Sequence, residues 1–192
     1  MKPYQGAESK KSAGAREMLP ANNYVAKIMN AAEKATQNGK LYIEISFDIA
    51  EGEYKDFFRT DYQAQDIAFA DRKWRGNFRL WEPTGDGSER DGWTKRTFNN
   101  LIGCVEESNP GYHWDWNEQG LKGKLIGVQF REREWAWEGK TGWMTECGGL
   151  CSVADVRSGR AKLLRAKTLP DAPVQNASSG GFVQVQDDEL PF

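Results

Sequence analysis

The chain has one histidine, His113, in 192 residues, and three cysteines, Cys104, Cys147 and Cys151. A lone imidazole cannot form a histidine metal pair and gives little material for a His-centred triad. Three thiols with one C-x3-C spacing fall short of the four ligands of a structural zinc site. They read as buried or half-buried thiols in a reducing compartment. Neither a P-loop nor a G-x-G-x-x-G run occurs, and the acidic residues show no nuclease-like arrangement. These absences point away from an enzyme and from any metal or other cofactor. Long apolar runs are also missing: none approaches the ~20 residues of a spanning helix, mean hydropathy is -0.75 and 28% of residues are charged. The opening MKPYQGAESKKSAG has charge but no apolar stretch behind it, unlike a secretory signal. The expected location is the cytoplasm, in a bacterial host or its nucleoid.

Large rings are plentiful, with eight Trp, nine Phe and six Tyr. They are material enough for one core, and the length suits one domain with loose ends. Residues 1–20 are rich in Lys, Ala, Gly and Ser and read as a flexible lead-in; 21–168 form the domain, and 169–192 a linker and acidic tail. The net charge of -2 divides unevenly. Residues 1–19 carry four basic and two acidic groups, 171–192 carry Asp171, Asp187, Asp188 and Glu189 with no cation, and 20–170 hold 22 charges of each sign. A neutral body can still concentrate cations on one face, so total charge does not exclude a polyanionic partner.

The clearest local pattern is Gly39–Ala50. Leu41, Ile43, Ile45, Phe47 and Ile49 alternate with Tyr42, Glu44, Ser46 and Asp48, the period of a strand with one buried side. Tyr24–Lys34 reads as a preceding strand, with Asn38-Gly39 turning the chain between them. Tyr54–Arg59 reads as a third strand paired to the second across Glu51-Gly52-Glu53. Pro83–Gly92 is a loop by composition. Over Thr94–Ser108 the period changes: Phe98, Leu101, Ile102 and Val105 form the stripe of an amphipathic helix, stopped by Asn109-Pro110-Gly111. Gly123–Glu134 alternates again, and a last strand is expected at Gly142–Cys147, continuing toward Val156 past a bulge or bend at Gly148-Gly149. The expected fold is mainly β: an OB-fold-like five-stranded barrel with one α-helix between strands 3 and 4 and a disordered acidic C-terminal tail.

The final residues, Asp187-Asp188-Glu189-Leu190-Pro191-Phe192, form an acidic run closed by apolar-Pro-Phe after a linker. This ending resembles the tail tip of bacterial single-stranded DNA-binding proteins. The resemblance implies a docking peptide for replication, recombination and repair proteins, with Phe192 entering an apolar pocket while acidic groups meet a basic rim. In the body, GKLYIEISFDIAEGEYKDFF, ESNPGYHWD and LKGKLIGVQFREREW look like segments of phage and mobile-element proteins of this kind. They do not resemble the chromosomal domain closely, so only the tail positions carry over residue by residue.

For the DNA-contacting face the residue chemistry itself is the guide. A single strand is held by rings under its bases and cations along its phosphates. Arg72–Trp81 interleaves Trp74, Phe78 and Trp81 with Arg72, Lys73, Arg75 and Arg79; Arg131, Arg133, Trp135 and Trp137 fall on one side of a strand, with Trp143 joining from the next. Arg59 and Tyr62 are further candidates after the third strand. Any single Trp reads as easily core as surface, while the Trp135/Trp137 pair reads as exposed. His113 reads as a loop residue packed on Trp114 or Trp116. The expected activity is sequence-tolerant binding of single-stranded DNA, with homo-oligomerisation open and no membrane partner. Two alternatives share the same surface chemistry: a Trp-rich carbohydrate-binding β module, and a recombination mediator that anneals strands.

Overall fold

The computed structural model describes residues 17–169. Five strands form one antiparallel sheet: β1 Asn23–Ala35, β2 Leu41–Ile49, β3 Asn77–Trp81, β4 Leu125–Trp137 and β5 Lys140–Cys151. Their spatial order is β3-β2-β1-β4-β5. The edges β3 and β5 approach one another, yet no ladder joins them, so the sheet is not closed. Three α-helices accompany it among the described residues: α1 Phe57–Ala64, α2 Glu89–Ser108 and α3 Val153–Ser158. None of these is long and apolar enough to cross a membrane.

One face of the sheet is core. Ile43, Ile45, Phe47 and Ile49 of β2 meet Ala26, Ile28 and Ala31 of β1 and Ile126, Val128 and Phe130 of β4. The stripe Phe98, Leu101, Ile102 and Val105 of α2 seals that face. Leu19, at the end of the expected lead-in, is itself buried in this core, and the Tyr24 hydroxyl donates to the Pro20 carbonyl at 2.8 Å. The packed body therefore starts earlier than residue 21.

Three expected elements differ. Tyr54–Arg59 is no strand: residues 51–56 turn, and α1 begins at Phe57. Asp56 starts the helix with φ 58° and offers no side-chain cap. Buried Asp48 on β2 takes that role, accepting from the Phe58 N–H at 2.9 Å and the Arg59 N–H at 3.2 Å. A carboxylate from another element thus meets the orphan amides of the helix start. The third strand is instead Asn77–Trp81, where Phe78 and Leu80 face inward beside Ile45 and Ile43. Helix α2 begins five residues before Thr94, because Ser88 caps it by accepting from the Asp91 N–H at 3.1 Å. Finally, β5 stops at Cys151, and Ser152 caps α3 before it can extend to Val156.

Candidate nucleic-acid interface

Strand β4 pairs with β1 only over Leu125–Gln129. Beyond Phe130 its ladder partner is β5, with which it forms a long two-stranded ribbon. The ribbon turns at Glu138-Gly139, with φ values of 48° and 75°. Positive φ at both central residues is the type I′ geometry, whose twist matches the flanking strands.

Register decides what each ribbon face displays. Arg131 pairs with Glu146, Arg133 with Met144, Trp135 with Gly142 and Trp137 with Lys140, all on the face away from the core. Trp143 pairs with Glu134 and therefore lies on the reverse face. It does not join Trp135 and Trp137. The expected grouping of Arg131, Arg133, Trp135 and Trp137 on one side does hold. Trp137 is 71% exposed near the turn. Trp135 is half-buried, because its indole lies flat across Gly142: a Cβ there would stand 2.9 Å from Trp135 Cζ2. The missing side chain leaves room for the ring against the strand.

The two arginines are already engaged. Arg131 donates to Glu146 Oε1 from Nε at 3.1 Å and Nη2 at 2.9 Å, and Arg133 donates to Oε2 at 3.2 Å. One carboxylate is shared between two guanidinium groups, which leaves a net positive charge while fixing both.

The other expected cluster is dispersed. Trp74 packs against the core and donates from Nε1 to the carbonyls of Phe47 and Gly76 at 3.1 and 3.2 Å. Phe78 also packs on the core. Arg75 is tied to Asp61 at 3.1 Å, Arg59 stands 3.6 Å from Asp56, and Tyr62 packs beside Trp74 and Phe69. Arg72 lies 6.0 Å from the centre of the exposed Phe69 ring. It lines a groove of 500 Å³ with Lys73, Arg75, Gln65 and Ile67. Arg79 and Trp81 remain on the outer face of β3. Both meet Tyr42, the guanidinium at 5.2 Å and the indole at 5.3 Å between centroids.

A further set of cations escaped the sequence reading. Residues 157–167 hold Arg157, Arg160, Lys162, Arg165 and Lys167 with no acid, a signal visible as a local charge run. This strap crosses the outer face of β4 and β5. Asn23 Nδ2 donates to the Ala161 carbonyl at 2.7 Å, and Gln129 Nε2 to that of Lys162 at 2.9 Å. Leu164 lies over Gly148 and Gly149, where Cβ atoms would meet it at 3.0 and 3.4 Å. The strap then runs parallel to β4 beside Arg133. Lys167 donates to the Glu132 carbonyl and accepts from the Glu134 N–H, both at 2.8 Å.

The thiols are free and half-buried. Burial pushes Cys147 up to about 12 and Cys151 to about 11, and it raises Cys104; all three are poor nucleophiles. His113 is exposed in the loop after α2, where Trp116 stacks on Phe98 and tilts against Trp114. The tail positions Asp187–Phe192 lie outside the described residues. No protein-family model matches the chain, and no curated protein does.

Proposed function

We propose that this chain binds single-stranded DNA without chemical turnover, with little sequence preference, and that Asp187–Phe192 recruits replication, recombination or repair proteins. The reading rests chiefly on one observation: the β4–β5 ribbon presents Trp135 and Trp137 on the outer face that the cation-rich strap of residues 157–167 also crosses. Rings that stack on any base, beside cations that follow a backbone, are what sequence-tolerant strand binding needs.

The strand order supports an OB-type barrel as the finer description of the fold. Its first strand lies between the second and fourth, a helix precedes the fourth, and the third approaches the fifth. In that barrel the faces of strands 2 and 3, with the loops after strands 1 and 4, take oligonucleotides. Here Arg79 and Trp81 stand on the former, over the buried Tyr42 ring, and the β4–β5 ribbon extends strands 4 and 5 in the place of the loop between them.

The test is a titration with dT oligomers of increasing length, followed by Trp emission with mass measured alongside. Quenching that saturates, weakens with salt and barely changes on replacing dT with mixed sequence is the expected result. Absence of binding at low salt, also after removal of residues 187–192, would overturn the reading.

A further inference from the structure

We propose that the phosphate-gripping groups are Lys162, Arg165 and Lys167 of the strap, and that Arg131 and Arg133 serve mainly to hold the ribbon in shape. This deepens the single-strand reading and rests on it.

Two observations separate the groups. Arg131 and Arg133 share the Glu146 carboxylate at 2.9 to 3.2 Å, so a phosphate must compete with an anion already in place. Within the strap, Arg157 is likewise paired with Glu51 and Arg160 with Asp155. Lys162, Arg165 and Lys167 have no carboxylate within ion-pair distance among the described residues, and Lys162 and Arg165 are exposed. Free cations gain most from meeting a phosphate and release its condensed counterions.

The strap is also held in place. Its carbonyls at Ala161 and Lys162 accept from Asn23 and Gln129, and Leu164 rests on the Gly148-Gly149 slot. The backbone of Lys167 is bonded on both sides to β4, and the Leu169 N–H donates to the Glu134 carboxylate at 3.1 Å. These contacts use backbone and leucine, leaving the three cationic heads for a ligand. Lys167 sits beside Arg133, so the cations lead along β4 toward Trp135 and Trp137. A strand with its phosphates on the strap can turn its bases onto those rings. The occupant is therefore a single-stranded sugar-phosphate chain. A duplex offers the same charges but keeps its bases from the indoles.

The experiment compares the full chain with the triple variant Lys162→Gln, Arg165→Gln, Lys167→Gln, and with the double variant Arg157→Gln, Arg160→Gln. Each is titrated with a dT oligomer and with a duplex of equal length over a range of salt. Circular dichroism checks the fold. The triple variant should keep its fold and lose affinity at least tenfold at low salt. Its log-log salt slope should fall by about 2, as expected for three lost contacts at ~0.7 each. The double variant should retain the wild-type slope, and the duplex should bind more weakly than dT. If wild type binds dT and the triple variant keeps wild-type slope and affinity, the strap assignment fails while the single-strand reading stands. Equal or tighter duplex binding would overturn the single-strand occupant. Failure of wild type to bind dT would sink the parent reading itself.

Discussion

At the scale of residues, the neighbours of each indole define what it can do. Trp74 has both its ring packed and its N–H bonded, so it belongs to the framework. Trp137 has neither constraint, and Trp135 is oriented by Gly142. Trp137→Ala should therefore weaken dT binding by about 1–3 kcal/mol, roughly 5- to 150-fold. Its unfolding free energy should stay within ~0.5 kcal/mol of wild type, because the ring is exposed. Fluorescence titration and urea unfolding measure the two quantities. Gly76 marks the opposite extreme. A Cβ there would stand 2.4 Å from the Phe47 carbonyl oxygen and 2.6 Å from the Phe58 ring. Backbone cannot yield as a side-chain tip does, so Gly76→Ala should destabilise by about 1–3 kcal/mol or more. A wild-type urea midpoint in that variant would show that the close approach is not tight.

At the scale of elements, two aspartates outside the expected boundaries anchor the approaches to α1 and α2. Asp48 meets the start of α1 from β2, a contact made across the fold. Asp91, in the first turn of α2, ties the preceding loop to the helix: it accepts from Gly85 N–H at 2.9 Å and Gly87 N–H at 3.3 Å, and Lys95 Nζ lies 2.7 Å away. Lys95 and those amides hold the Asp91 carboxyl below its ordinary value. A depressed folded value means that its contribution is complete above the ordinary carboxylate range and is lost as pH falls through the depressed value. Asp91→Asn should lower the urea midpoint at neutral pH and narrow its gap from wild type as pH drops to about 3. A gap that is constant with pH would assign the loss to geometry alone. The Ser88 cap of α2 was present in the sequence as Ser88-x-x-Asp91, inside a Gly-rich stretch that reads as loop. The strand at Asn77–Trp81 was hidden for a related reason. Its five residues alternate correctly, but only Leu80 is fully buried, and the surrounding Arg and Trp residues read equally well as a binding surface.

At the scale of the molecule, charge is partitioned rather than abundant. The 22 cations between residues 20 and 170 are balanced by as many acids, yet five of them occupy the acid-free strap. Leu169, where the described chain ends, is bonded to the ribbon through Glu134. The acidic tip lies some twenty residues further along the sequence. On the proposed reading, the acidic side chains of the tip compete with phosphates for the cationic strap. Deleting residues 187–192 should therefore leave dT affinity equal or higher while abolishing capture of helicase or polymerase partners. Strand-binding titrations and pull-downs of those partners read the two effects. A large loss of dT affinity would instead place the tip among the DNA contacts.

Several features were determined by sequence alone, because they are written in local periodicity. The alternation of Ile43–Ile49 and of Ile126–Phe130, and the stripe Phe98, Leu101, Ile102 and Val105, each specify a buried face without reference to distant residues; Leu41, at the strand's start, is 43% exposed. The grouping of Arg131, Arg133, Trp135 and Trp137 follows from the same period of two. What tertiary structure decided is whatever depends on a partner far along the chain. Trp143 faces away from the other two ribbon indoles because of the β4–β5 register. Arg131 and Arg133 meet Glu146 through that same register. Trp74 is enclosed by Phe47 and Gly76, and the strap finds its slot only once Gly148 and Gly149 lie beneath Leu164. Side-chain direction is a local property of a strand, whereas exposure and ion pairing are settled by what folds over it.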